Sequence, residues 1–151
     1  MTIWVDVDSC AREARKILAR AAGRTGVSVT LVGDRAVPEG KERQVTQVVL
    51  EKGKDAADRY IGDRAAATDL VVTRDLPFAE EVTGRGVTVL NDRGDVFTRE
   101  NIAERRSLRD FMYDLRQDGI YREGGRTLGP REVQAFANAL DREITKRLNQ
   151  G

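Results

Sequence analysis

The chain has 151 residues, 34% of them charged and 40% hydrophobic, and its 26 Lys plus Arg nearly balance 25 Asp plus Glu to a net charge of +1. This suits one compact domain with a real core, and it excludes both a disordered chain and a strongly basic nucleic-acid binder. The absence of histidine and the single cysteine, Cys10, remove Ser-His-Asp and Cys-His nucleophile schemes, histidine-ligated zinc and an internal disulfide.

In chain order, Thr2 to Val7 reads as a strand with apolar side chains on both parities, the pattern of a parallel strand covered on both faces. Cys10, Ala14, Ile17, Leu18, Ala21 and Ala22 follow helical spacing, and Gly23 to Gly26 stops that helix. Val27 to Val32 is a second strand, Gly33 to Arg43 a polar loop, and Val45 to Leu50 a third strand. After Gly53, Lys54 to Ala67 reads as a helix. Asp69 to Thr73 is a buried strand, followed by a helix over Phe78 to Thr83 with Pro77 in its first turn. Gly86 to Leu90 is a fifth strand, Asn91-Asp92-Arg93-Gly94 a turn, and Val96-Phe97 a short hairpin return. Arg99 to Gln117 is expected to be helical, Gly119 to Gly129 a glycine- and arginine-rich loop, and Pro130 to Leu148 a last helix. The alternation through residue 90 predicts an α/β sheet with helices on both faces, and the last two helices read as an appendage packed on it. No apolar run approaches the ~18 residues of a membrane span and no signal-peptide pattern opens the chain, so the expected compartment is the cytoplasm.

Aspartates carry the chemistry. The first strand runs into Asp6 and Asp8, the fourth into Asp75, and Asp55 and Asp58 lie three apart near the start of the second helix. The ends of strands are where open α/β sheets bind ligands. Carboxylates gathered there repel one another until a divalent cation relieves the conflict, and Mg²⁺ or Mn²⁺ accepts such oxygen ligands for phosphoryl chemistry. Each aspartate also has a structural reading: Asp8 or Ser9 as a helix cap, Asp75 as another, Asp55 and Asp58 as first-turn charges. Asp6 resists this best, because it interrupts an apolar strand before any cap position. The Asp6-Val7-Asp8 spacing also resembles the first motif of haloacid-dehalogenase-type phosphatases, with Thr73 in place of the second motif, but no suitably placed lysine or later acidic doublet follows. Cys10 reads as a small core residue. Arg105, Arg106 and Arg109, with Arg122, Arg126 and Arg131, read as a solvated face, with phosphate-backbone contact as the alternative.

The runs Ile3-Trp4-Val5-Asp6-Val7-Asp8-Ser9-Cys10, Asp55-Ala56-Ala57-Asp58, Asp69-Leu70-Val71-Val72-Thr73-Arg74-Asp75-Leu76-Pro77 and Leu90-Asn91-Asp92-Arg93-Gly94 point to a known family. So do Glu100-Asn101-Ile102, Arg109-Asp110-Phe111-Met112 and Gln134-Ala135-Phe136-Ala137-Asn138-Ala139-Leu140. Through these the chain resembles the YaiI/YqxD family of PIN-like bacterial proteins over nearly its whole length. The resemblance implies a three-layer α/β/α PIN-like, Rossmann-like parallel sheet as a single domain. Its core would span about residues 1–97, with two helices appended over about 98–151. By analogy it implies a metal-dependent nuclease acting on RNA or DNA. Asp6, Asp58 and Asp75 fit the acidic places of PIN-type sites, and Asp8 and Asp55 are extra. Asp6, Asp8, Asp58 and Asp75 are thus the expected catalytic set, and these four with Asp55 the expected Mg²⁺ or Mn²⁺ ligands. Thr73, Asn91 and Arg93 are the expected substrate-binding residues, Asn91 and Arg93 positioning the phosphate and Thr73 also hydrogen-bonding a carboxylate. The expected partner is RNA or single-stranded nucleic acid rather than a membrane. A homodimer is compatible with the sequence, and a non-catalytic nucleotide- or RNA-binding role is the alternative. The chain departs from the family pattern at Ala11, where a proline usually follows the cysteine, and at Asp92, where a proline usually stands. It also departs in a shorter loop around Gly33 to Arg43, and in a late loop that keeps Gly124-Gly125 without the usual preceding threonine.

Overall fold

The structure, a computed structural model, describes residues 1–53, 55–105 and 128–150. Five parallel strands, β1 (Thr2–Asp6), β2 (Ser28–Gly33), β3 (Val45–Val49), β4 (Leu70–Val72) and β5 (Thr88–Leu90), form a sheet to which β6 (Val96–Phe97) adds antiparallel. The strand order is β3-β2-β1-β4-β5-β6. The chain leaves β1 toward β2 on one side and returns to β4 on the other, so the sheet's switch point lies between β1 and β4.

Alternating side chains divide the sheet between two helical layers. On one face, Ile3, Val5, Leu70, Val72 and Leu90 pack with Leu18 and Ala22 of α1 (Arg12–Thr25) and with Phe136, Leu140 and Ile144 of the helix Pro130–Gln150, here α4. On the other, Val71 and Val89 pack with Ile61 of α2 (Ala56–Arg64) and with Phe78, Ala79 and Val82 of α3 (Leu76–Thr83), and Trp4 joins them. The result is a three-layer α/β/α fold.

The elements differ from the sequence expectation at their ends. Helix α1 runs through Gly23 and stops at Gly26, whose φ of 77° supplies the left-handed cap. An internal glycine costs a helix only about 1 kcal/mol, too little to end it. Helix α2 is shorter than Lys54 to Ala67, since Asp55 ahead of it is left-handed (φ 60°) and Ala65 behind it is extended. Helix α4 belongs to the α1 layer rather than to an appendage: Phe136, Ala139 and Leu140 are fully buried in the shared core. The helix expected over Arg99 to Gln117 is described only at its start, where residues 102–105 are helical. Arg106, Arg109, Arg122 and Arg126, with most of the glycine-rich loop, lie outside the described residues. Among the described residues no helix is long and apolar enough to cross a membrane.

The turn after β5 fixes α4. Asn91 Oδ1 accepts from the Arg93 and Asp95 backbone N–H groups, both at 3.0 Å, and Asn91 Nδ2 donates to Asp95 Oδ2 at 2.9 Å. Gly94 has φ 93°, and a Cβ there would lie 2.6 Å from the Ala135 carbonyl carbon. Left-handed backbone and contact with α4's main chain both exclude a side chain. Gly94→Ala is therefore expected to cost about 3 kcal/mol, measured as a melting midpoint about 10 °C lower.

Candidate functional site

The acidic residues meet where the topology predicts a crevice. Pairing of Val5 with Val72 brings Asp6 beside Thr73 at the carboxyl ends of β1 and β4. Asp6 shares its parity with Trp4 and so belongs to the α2/α3 side of the sheet. It is 7% exposed. The hydroxyls of Ser9 and Thr73 both donate to Asp6 Oδ2, at 2.8 and 3.2 Å. Ser9 Oγ in turn accepts from the Arg74 N–H (3.0 Å), and Thr73 Oγ1 from the Asp75 N–H (3.1 Å). The ends of β1 and β4 are thereby tied together through two hydroxyls. Thr73 is buried and acts on a carboxylate, as expected, rather than lining an open surface.

Asp55, Asp58 and Asp75 each present a carboxylate oxygen, and the three oxygens lie within 4.8 Å of one another. Asp55 sits at the N-cap position of α2, Asp58 in its first turn, and Asp75 caps α3 by accepting from the Phe78 N–H at 3.0 Å. Two helix N-termini thus face the cluster and partly offset its charge. The offset is incomplete: burial, then the Asp6 carboxylate, then Asp75 and Asp55 push the Asp58 carboxyl up to about 7. Asp6 is itself raised, first by burial and then by Asp8, against the two hydroxyl hydrogen bonds. A proton on Asp58 competes with a cation for the same oxygens. If the cluster takes Mn²⁺, the affinity measured by calorimetry should therefore fall about tenfold between pH 8 and pH 6.

Asp8 does not join this cluster. The single 3₁₀ turn Val7–Ser9 carries it to the surface, where it pairs with Arg35 at 2.6 Å. Asp6 and Asp8, two apart in sequence, therefore face different surroundings. Neither Asp8 nor Ser9 caps α1: Ser9 is turned to Asp6, and the N-cap is Ala11. Asn91 is committed to its own turn, and neither it nor Arg93 lines the groove beside the acidic cluster. Cys10 is buried, and burial followed by the Asp92 charge pushes its thiol well up, so it is a core residue and not a nucleophile.

Three features escaped the sequence reading. Asp92 is fully buried, accepts the Ala11 N–H at 2.7 Å and receives the Arg74 guanidinium through both oxygens, at 2.6 to 3.0 Å. Ala11 and Asp92, the two positions at which the sequence departs from the pattern it resembles, are thus partners in one hydrogen bond. Ser9 is the second feature, legible in sequence only as a cap. The third is a groove of about 670 Å³ between α2 and α3, which starts at Asp55 and Asp58 and includes Arg59, Gly62, Phe78 and Arg85 in its walls.

Comparison with known proteins agrees with the resemblance. The family described as "Uncharacterized BCR, YaiI/YqxD family" matches residues 4–146. A UPF0178 protein of Halorhodospira halophila is 45% identical over 151 residues, all of both chains. Another, of Pseudoalteromonas atlantica, is 42% identical over 147 residues, 97% of this chain and all of that protein. A third, of Treponema pallidum, is 45% identical over 148 residues, 98% of this chain and 84% of that protein. No solved structure matches the chain.

Proposed function

The chain belongs to the YaiI/YqxD family, and on the acidic cluster of this member we propose that it is a nuclease, a Mg²⁺- or Mn²⁺-dependent hydrolase of phosphodiester bonds in RNA or single-stranded DNA. The observation that carries this reading is the convergence of Asp55, Asp58 and Asp75 within 4.8 Å at the sheet's switch point. The donor set fits such a cation: three carboxylates from two helix starts, no soft ligand, and room for water, as Mg²⁺ prefers. The raised Asp58 carboxyl supports it too, since three like charges kept together are costly unless something positive offsets them. When bound, a divalent cation supplies charge neutralisation to the phosphodiester and acidifies the attacking water.

The chain's own residues have distinct tasks. Asp55, Asp58 and Asp75 would hold the cation. Asp6 stands behind them with Oδ2 fixed by Ser9 and Thr73 and would help to orient a water. Thr73 and Ser9 set the Asp6 rotamer and keep β4's end, hence Asp75, in register with β1. Asp8, paired with Arg35, takes no part in this reading.

The test is incubation of the purified chain with RNA, single-stranded DNA and short oligonucleotides over a range of Mg²⁺ and Mn²⁺ concentrations. Cation-dependent cleavage is expected, reduced about 10²-fold or more in Asp6→Asn, a loss typical of removing one positioned group. Cleavage unaffected by Asp6→Asn, or no cation binding, would defeat the reading.

A further inference from the structure

A strand held at the acidic cluster must continue in some direction, and we infer that it runs down the groove between α2 and α3, with Arg59 and Arg85 holding its phosphates and Gly62 leaving room for it. This rests on the nuclease reading for its substrate class, but on different residues. Asp55, Asp58, Arg59 and Gly62 recur at helical spacing along one side of α2, and Pro77, Phe78 and Glu81 along the facing side of α3, with Arg85 just beyond its end. The groove therefore starts at the acidic cluster and leads away from it, with Arg59 one residue past Asp58 and Arg85 past the end of α3. Its volume of about 670 Å³ lies within the range of small-ligand pockets.

Asp63 and Glu81 line the same groove. Even so, among the described residues no salt bridge or side-chain hydrogen bond engages the guanidinium of Arg59 or Arg85. Arginine's planar fork matches a phosphate through two donors. Gly62 is the remaining sign. Glycine is a poor helix residue, and here no backbone geometry requires it: a Cβ would lie 3.6 Å from Phe78 Cε1 and 3.9 Å from Arg85 Nη2, in ordinary contact. Its missing side chain keeps the groove open.

Gly62→Leu fills the groove while leaving every carboxylate in place, and Arg59→Ala with Arg85→Ala removes the phosphate contacts. Both are compared with the wild type for Mn²⁺ binding, for turnover of a small chromogenic phosphodiester, and for cleavage and fluorescence-anisotropy binding of a single-stranded octanucleotide. The expected result is unchanged Mn²⁺ affinity and small-diester turnover in both variants, with octanucleotide KM and Kd raised at least tenfold. The duplex of the same sequence should bind the wild type at least tenfold more weakly than the single strand. If the wild type cleaves nothing, the nuclease reading fails, and anisotropy alone decides the groove: weaker octanucleotide binding in both variants sustains it. Octanucleotide binding that is unchanged by the variants, absent in the wild type, or matched by the duplex overturns it.

Discussion

Asp58→Asn is expected to stabilise the cation-free protein at pH 8 while abolishing its response to Mn²⁺. The Asp58 carboxyl is raised to about 7 by burial and by the charges of Asp6, Asp75 and Asp55. A carboxyl that holds its proton more tightly folded than unfolded favours the fold below its unfolded value near 4. That contribution is lost as pH rises through about 7. At pH 8 the wild type bears the full repulsion, and asparagine removes it at nearly the same size. Because the residue is half-exposed, solvent screening reduces the gain to about 1 kcal/mol, a midpoint higher by about 3 °C. The gap should narrow as pH falls from about 7 toward about 4 and close below that, where Asp58 is protonated in the folded and unfolded chains alike. The same substitution removes one of the three proposed ligands, so on that proposal saturating Mn²⁺ should raise the wild-type midpoint and leave the variant's unmoved. Any Mn²⁺-dependent hydrolysis should fall by about 10³-fold. Asp75→Asn makes the complementary case: asparagine caps α3 as well as aspartate does, so the fold is kept while the cation site is lost. A midpoint for Asp58→Asn below the wild type at pH 8 would mean that Asp58 serves the fold and not a ligand.

The strand ends were legible because apolar strands stopping in carboxylates leave a sharp mark: Asp6 and Asp75 were placed on the right edge from sequence alone. Asp55 and Asp58 were legible as a helical pair. What could not be read was direction. Asp8 looked equivalent to Asp6, and only the 3₁₀ turn at Val7–Ser9 separates them. Ser9 looked like a cap, but Asp92 took over the start of α1 through the Ala11 N–H, which freed Ser9 for Asp6. Helix α4 looked like an appendage because its stripe of Phe136, Leu140 and Ile144 is long in sequence from the core it completes. Local pattern fixes which residues turn inward, and long-range contacts decide what they meet.

Asp92→Ala should be among the most damaging substitutions in the chain, although the residue lies outside the acidic cluster. Its carboxylate is fully buried, and it joins three elements: the start of α1 through Ala11, the end of β4 through Arg74, and the turn after β5 that carries it. Removing one partner of a buried charge pair costs about 3–5 kcal/mol. Arg74 keeps about a third of its side chain exposed, which places the expected loss near 3 kcal/mol, a midpoint about 10 °C lower. Arg74 stands between Thr73 and Asp75, so Mn²⁺ affinity should weaken with the fold. Proline substitutions probe the same linkage more finely. Ala11 has φ −63° and the preceding Cys10 is extended, so Ala11→Pro fits the backbone and removes only the N–H that Asp92 accepts. Asp92 is the second residue of the turn closed by the Gly94 N–H on the Asn91 carbonyl at 3.2 Å, a position that favours proline. Each proline alone leaves its partner wanting: a buried carboxylate short of a donor, or a helix N–H short of an acceptor. Together they remove both groups. The double variant should therefore be more stable than the sum of the two losses by about 1 kcal/mol in a denaturant-unfolding cycle. Strict additivity would mean that the hydrogen bond from the Ala11 N–H to Asp92 couples the two positions by nothing measurable.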